Sequence, residues 1–148
     1  MRLMIDDVNF SQLSINECFK DKRWISQLVE DFLTGRVTLQ TLPRIPVVFC
    51  DGKWFAIDGN RRLFVLKKLH ERGLLGTDEI PVKRGRLGRR ISYYTNGYVR
   101  VRHGGWMAKE IDAMINDFQQ FGRSTFTPGT LTVYWRMLAS MDRLSLRG

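Results

Sequence analysis

IPVVFCDGKWFAIDGNRRLFVLKKL, residues 45–69, holds the reading on which the fold turns. Two β-rich runs, Ile45 to Cys50 and Lys53 to Ile57, are separated by Asp51-Gly52, a dipeptide that tolerates the positive φ angles of a two-residue hairpin turn. The second run passes through Asp58-Gly59-Asn60 into a helix expected over Asn60 to Arg72. That helix is apolar at Leu63, Phe64, Val65, Leu66 and Leu69, a band broad enough to predict burial on more than one side. Strand, hairpin, strand, turn and helix make an α/β unit whose corner is Asp58 to Arg62.

Upstream of this unit, Trp24, Ile25, Leu28, Val29 and Phe32 recur at helical spacing, with Gly35 beyond them as a C-terminal stop. Val8 to Ile15 reads as a short strand and turn, and Thr38 to Arg44 as a connecting loop closed by Pro43. Downstream, Gly73 to Glu79 is a loop and Ile80 to Arg84 a short strand, whose Pro81 suits a sheet edge. In Ile91 to Arg102, Asn96-Gly97 predicts a second hairpin. Alternation there sets Tyr94, Val99 and Val101 on a core-facing side and Tyr93, Tyr98, Arg100 and Arg102 on a basic, aromatic one. Trp106 to Phe121 is an amphipathic helix through Met107, Ile111, Met114, Ile115 and Phe118. After a polar break at Gly122 to Gly129, Leu131 to Leu144 is expected as a last helix with Tyr134, Trp135, Leu138 and Met141 on its apolar side. It would either cover the core or pair between subunits, and covering the core is the preferred reading. The expected class is α+β: a small mixed β-sheet with packed helices, extended by a basic hairpin and C-terminal helices. At 148 residues one domain is expected, with a core over 8–84 and an extension over 85–148.

No apolar run approaches the ~20 residues needed to cross a bilayer, and the acidic N-terminus MRLMIDDVNF does not read as a signal peptide. Cys18 and Cys50 are expected as reduced, buried thiols. With two cysteines and two histidines (His70, His103) lacking ligand spacing, a zinc site is not expected. An intracellular location, cytoplasmic or nuclear, fits this usage. Eight of the nine net positive charges come from one stretch. Residues 1–79 hold 12 basic and 11 acidic side chains, and residues 110–148 hold four of each. Residues 80–109 hold Lys83, Arg84, Arg86, Arg89, Arg90, Arg100, Arg102 and Lys109, and no acid. A localised excess of this kind fits a polyanion better than it fits general solubility.

The corner at Asp58 has the residues of a phosphate seat. A helix starting near Asn60 leaves its first N–H groups unpaired and partly positive. Gly59 permits close approach, and Arg61 and Arg62 add guanidinium forks suited to phosphate oxygens. Asp58 could cap the helix, bind a ribose hydroxyl or hold a magnesium ion.

The pattern RIPVVFCDGKWFAIDGNRRLFVLKKL…GTDEIPVKR, preceded by WISQLVEDFLTG, resembles the ParB/sulfiredoxin-like domain superfamily over about residues 8–84. In that superfamily the matching turn binds nucleotide phosphates, which implies the same role for Gly59, Asn60, Arg61 and Arg62, with Asp58 beside them. The chain also departs from its members. Asn60 stands where sulfiredoxins carry the catalytic Cys, which argues against sulfinic acid reduction. Asn60 also replaces the Glu that partitioning ParB proteins have before the Arg pair, which weakens a CTP-hydrolysing reading. Asp58-Gly59 resembles the start of the turn in a free-serine kinase branch, for which Glu17 or Glu30 would be the base.

The leading expectation is a nucleic-acid-binding, phosphate-handling ParB-like protein, with nuclease activity as its catalytic form. Its catalytic candidates are Asp58, Arg61 and Arg62, with Mg2+ on Asp58; Asp51 is the one other acid considered for the metal. Nucleic acid would be bound by Lys83, Arg84, Arg86, Arg89, Arg90, Tyr93, Tyr98, Arg100 and Arg102, since arginines track phosphates while rings stack on bases. The alternatives are an NTPase or small-molecule kinase dependent on ATP or CTP, and a non-catalytic binding module.

Overall fold

The computed structural model describes residues 1–86, 99–102 and 105–146. Strands β4 (Ile45–Cys50) and β5 (Lys53–Ala56) form the hairpin that Asp51-Gly52 predicts, with Cys50 opposite Lys53. Both loop residues are left-handed, at φ 51° for Asp51 and 76° for Gly52, the pair of angles that matches the strand twist. The hairpin is the middle of a five-stranded mixed sheet. Beside β4 runs β6 (Glu79–Arg84) in parallel, and beyond it β1 (Arg2–Met4) antiparallel. Beside β5 runs β2 (Val8–Asn9), also parallel, which gives the order β1-β6-β4-β5-β2.

Two strand expectations change. β6 is not an edge, because β1 pairs along its outer side. Pro81 is tolerated there for a positional reason. Val82 donates to the Met1 carbonyl at 3.0 Å, so the missing N–H of Pro81 points the other way. On that side the β4 ladder begins one residue later, at Ile45 opposite Val82. The Val8 to Ile15 region divides into β2 and a separate strand, β3 (Ser14–Ile15). β3 pairs in parallel with β7 (Arg100–Val101) in a two-stranded sheet. The Asn96-Gly97 turn and its Ile91, Tyr93, Tyr94 and Tyr98 lie outside the described residues. At the described end, Val99 and Val101 are buried as the alternation predicts, and Arg102 is exposed.

Three helices share the core with the sheet: α1 (Ile25–Leu33), which packs against both α2 (Asn60–Glu71) and α3 (Trp106–Phe121). Ile45, Val47, Ala56, Ile80 and Val82, on one face of the sheet by register, join Leu63, Leu66 and Leu69 of α2 and Ile111, Met114 and Ile115 of α3 in one hydrophobic cluster. Each such fully buried side chain contributes roughly 1.5–3 kcal/mol. The cluster draws on residues from both sides of position 85.

α4 (Thr130–Leu146) packs on α3, but not with its apolar face inward. Tyr134 is 54% exposed and Met141 61%, against the expectation that they cover the core. Trp135 keeps a stacked contact with Trp106, their centroids 5.8 Å apart. Two buried carboxylates account for the orientation. Glu110 of α3 accepts from Ser26 Oγ, from the Gly129 and Thr132 N–H groups and from Thr132 Oγ1, the last three at 2.9, 2.9 and 3.1 Å. Its charge also sits against the N-terminus of α4, where the helix dipole favours an anion. Glu17 pairs with Arg136, one turn further along. A buried carboxylate stripped of its donors costs more than an exposed methionine, so polar pairing sets the rotation of the helix. Gly129 completes the joint: its φ is 88°, and a side chain there would overlap the Trp24 ring.

No helix among the described residues is long and apolar enough to cross a membrane. Both cysteines are free and only partly buried, where full burial was expected.

Candidate functional site

The corner between β5 and α2 is built as a close-approach turn. Gly59 is the N-cap of α2 at φ 78°, with no side-chain cap bond. The positive φ is what favours glycine here, and the absence of a Cβ also lets the Arg62 guanidinium lie close over the turn. The first helical bond runs from Leu63 N–H to the Gly59 carbonyl at 2.9 Å. The N–H groups of Asn60, Arg61 and Arg62 therefore precede the helical ladder.

The three side chains after Gly59 do different work. Asn60 is buried, and its amide is held from both ends: Oδ1 accepts from Ser11 N–H at 3.0 Å and Nδ2 donates to Ser11 Oγ at 3.1 Å. It fastens the turn to the segment after β2, and what it offers a ligand is its backbone N–H. Arg61 donates to the Cys18 carbonyl at 2.6 Å, with its guanidinium 5.8 Å from the Phe19 ring centre. Arg62 donates to the Pro43 carbonyl at 2.7 Å. Each guanidinium has five N–H donors, so one carbonyl contact orients it and leaves others for an oxyanion. Burial pushes the Arg62 pKa below its ordinary value, opposed by the Asp58 charge. Asp58 is exposed, and its Oδ1 accepts from Gly59 N–H at 2.8 Å. It therefore fixes the turn without capping the helix.

These residues line a cleft of about 410 Å³. Its other walls are Gln27, Leu28 and Asp31 of α1, the 19–23 segment (Phe19, Lys20, Asp21, Arg23) and the Leu42-Pro43 loop. Two of the acids are engaged: Asp21 with Arg23 at 2.7 Å, and Asp31 with Gln27 Nε2 at 3.1 Å. The Arg23 N–H and side chain hold the Asp21 carboxyl below its usual range. Burial raises the Cys18 thiol, with Arg61 opposing, which favours the unreactive protonated form.

Of the other expected site residues, Lys83, Arg84 and Arg86 are exposed at the end of β6 and just past it. Gly85 lies against Ile57 and Pro46, where a side chain would overlap Ile57, and its N–H donates to the Val47 carbonyl at 2.8 Å. The basic stretch thus leaves the sheet beside Ile57, itself a wall of the cleft. It returns at β7, where Arg102 N–H donates to the Ile15 carbonyl at 2.9 Å and Arg102 Nε to Ser14 Oγ at 3.1 Å. Ser14 lies three residues from Ser11, the partner of Asn60. Arg89, Arg90, Tyr93 and Tyr98 lie outside the described residues; Arg100 is within β7.

Asp51 does not join Asp58. It sits in the turn at the far end of the hairpin, a full strand away. Among the described residues no group of three His, Cys, Asp or Glu gathers as a metal cage. Neither proposed kinase base reaches the cleft: Glu17 is buried against Arg136, and Glu30 faces Arg36 at 3.9 Å. Among the cleft residues not anticipated are Phe19, Asp21, Gln27 and Asp31. The i, i+4 spacing of Gln27 and Asp31 on the polar side of α1 was visible, but nothing local said that this side faces the turn. In comparisons with known proteins the chain matches no family model, no curated protein and no solved structure.

Proposed function

We propose that this chain binds nucleic acid and seats one phosphate at the Gly59–Arg62 turn. The observation that carries the reading is that the acid-free stretch leaves the sheet with Gly85 against Ile57, a wall of the cleft, and is held again at Arg102 on Ser14, three residues from the Ser11 that clasps Asn60. In this reading a ligand seated at the turn would extend toward the exposed Arg84, Arg86 and Arg102. The sequence resemblance to ParB/sulfiredoxin-like domains supports the same turn as the phosphate site. Arg61 and Arg62 are already oriented by their carbonyl contacts, so they lose little freedom on binding.

Binding is the primary role, because the side-chain amide of Asn60 is held at both ends by Ser11 and supplies no nucleophile to the turn. For nuclease activity, Asp58 is the residue that would hold Mg2+, which would supply charge neutralisation and an activated water. Arg61 and Arg62 would hold the phosphate being cleaved.

A second reading, a nucleotide-dependent enzyme, is favoured by the cleft volume of about 410 Å³ and by the Phe19 wall, which suit a single ATP or CTP. One experiment separates the two. Fluorescence anisotropy with a labelled single-stranded oligonucleotide should give saturable binding that Arg100→Ala with Arg102→Ala weakens and that millimolar ATP or CTP displaces poorly. Saturable nucleotide binding with no oligonucleotide binding would favour the second reading and reject the first.

A further inference from the structure

We infer, resting on the nucleic-acid reading above, that the cleft receives the end of a strand and seats its terminal phosphomonoester on the Gly59–Arg62 turn. The cleft encloses about 410 Å³, room for a single nucleotide. Its charges suit one phosphate. At the turn, the guanidiniums of Arg61 and Arg62 stand against the lone carboxylate of Asp58. Along the wall from Phe19 to Asp31, Lys20 and Arg23 are balanced by Asp21 and Asp31. A groove that tracks a strand is basic along its length, because each nucleotide brings another phosphate. Here the cation excess is confined to the turn, and a second phosphate against the neutral wall would meet the carboxylates of Asp21 and Asp31.

The donors at the turn also exceed what an internal phosphate uses. A phosphodiester offers two unbridged oxygens and a single negative charge. A terminal phosphomonoester offers three acceptor oxygens and a charge of roughly −1.5 to −2 near neutral pH. Facing it are the N–H groups of Asn60, Arg61 and Arg62 that precede the helical ladder. Beside them are the guanidinium donors that the Cys18 and Pro43 carbonyls leave over. Burial holds the Arg62 pKa below its ordinary value, opposed by the Asp58 charge, so this guanidinium gains from further negative charge beside it.

The basic path leads to this seat rather than through it. Gly85 lies against Ile57, a wall of the cleft, and its neighbours Arg84 and Arg86 are exposed. A strand following the acid-free residues 80–109 reaches the cleft at Ile57 and meets the cation excess of the turn with its last phosphate.

Fluorescence anisotropy on the whole chain at fixed salt tests this. The probes are internally labelled single strands of one sequence that end in hydroxyls, in a 5′ phosphate or in a 3′ phosphate, with an unlabelled circular strand as competitor. The expected result is that at least one phosphorylated strand binds about tenfold or more tighter than the hydroxyl-ended one, which identifies the end that is seated. The circle should compete no better than the hydroxyl-ended strand. Arg61→Gln with Arg62→Gln should abolish the preference, with far-UV circular dichroism unchanged. The comparison among strands on the wild type needs no variant, so it decides the question even if the double variant misfolds. Equal affinity for every strand, a circle that competes as well as the best phosphorylated strand, or a preference that the folded double variant keeps would each overturn the strand-end assignment while leaving the nucleic-acid reading in place. Absence of binding by any strand rejects that reading, and this inference with it.

Discussion

α2 and α4 are both amphipathic by sequence, yet they are held in opposite ways. α2 turns its leucines inward and presents its N-terminus to the cleft, so apolar burial positions the candidate site. α4 turns Thr132 and Arg136 inward and its methionines outward, so two buried carboxylates position the helix. The contrast teaches that an apolar stripe gives the period of a helix but not its rotation. Where a buried acid needs donors, those donors win.

The contrast can be broken from either side. Glu110→Ala leaves the Gly129 and Thr132 N–H groups and the Ser26 hydroxyl without their acceptor. At roughly 1–3 kcal/mol per buried orphan it should cost about 4 kcal/mol in urea denaturation and release α4 first in hydrogen exchange. Leu66→Ala in α2 should cost about 3 kcal/mol through its cavity, with no preferential loss of α4. Asn60→Ala removes the clasp on Ser11 and should cost about 2 kcal/mol, while also loosening the turn that presents Arg61 and Arg62. Met137→Gln should change stability by less than about 0.5 kcal/mol, although Met137 is as apolar as the leucines of α2. The smallest effect is electrostatic. Hydrogen bonds from the Thr125 side chain and N–H hold the Asp117 carboxyl below its ordinary value. Its contribution is therefore present above the unfolded pKa and is lost as pH falls through the lower folded one. Asp117→Asn should flatten the acid limb of a stability–pH curve without changing stability's trend near neutrality.

Much of this architecture could be read along the chain because it is fixed by local chemistry. Asp51-Gly52 can be satisfied by few turns other than a tight hairpin. Gly59 before an apolar band marks a helix start, and Trp106 to Phe121 has an unbroken helical period. The rest depends on partners distant in sequence. β1 is three residues long and owes its existence to β6, nearly eighty residues away. β3 needs β7, and the rotation of α4 needs Glu17 and Glu110. At the candidate site, the turn itself was legible because a glycine between strand and helix, followed by paired arginines, announces it. That Asn60 is a clasp was not, since its partner Ser11 lies 49 residues upstream. The opposite wall of the cleft, from Phe19 to Asp31, was hidden for the same reason.

The central claim is that the Gly59–Arg62 turn and the basic stretch grip one nucleic acid. Its most direct test is the salt dependence of oligonucleotide affinity for the wild type and for Arg61→Gln with Arg62→Gln. The account predicts that the double variant keeps its fold, loses about tenfold or more in affinity, and shows a log Kd against log salt slope shallower by about one unit. An unchanged affinity and an unchanged slope would contradict it.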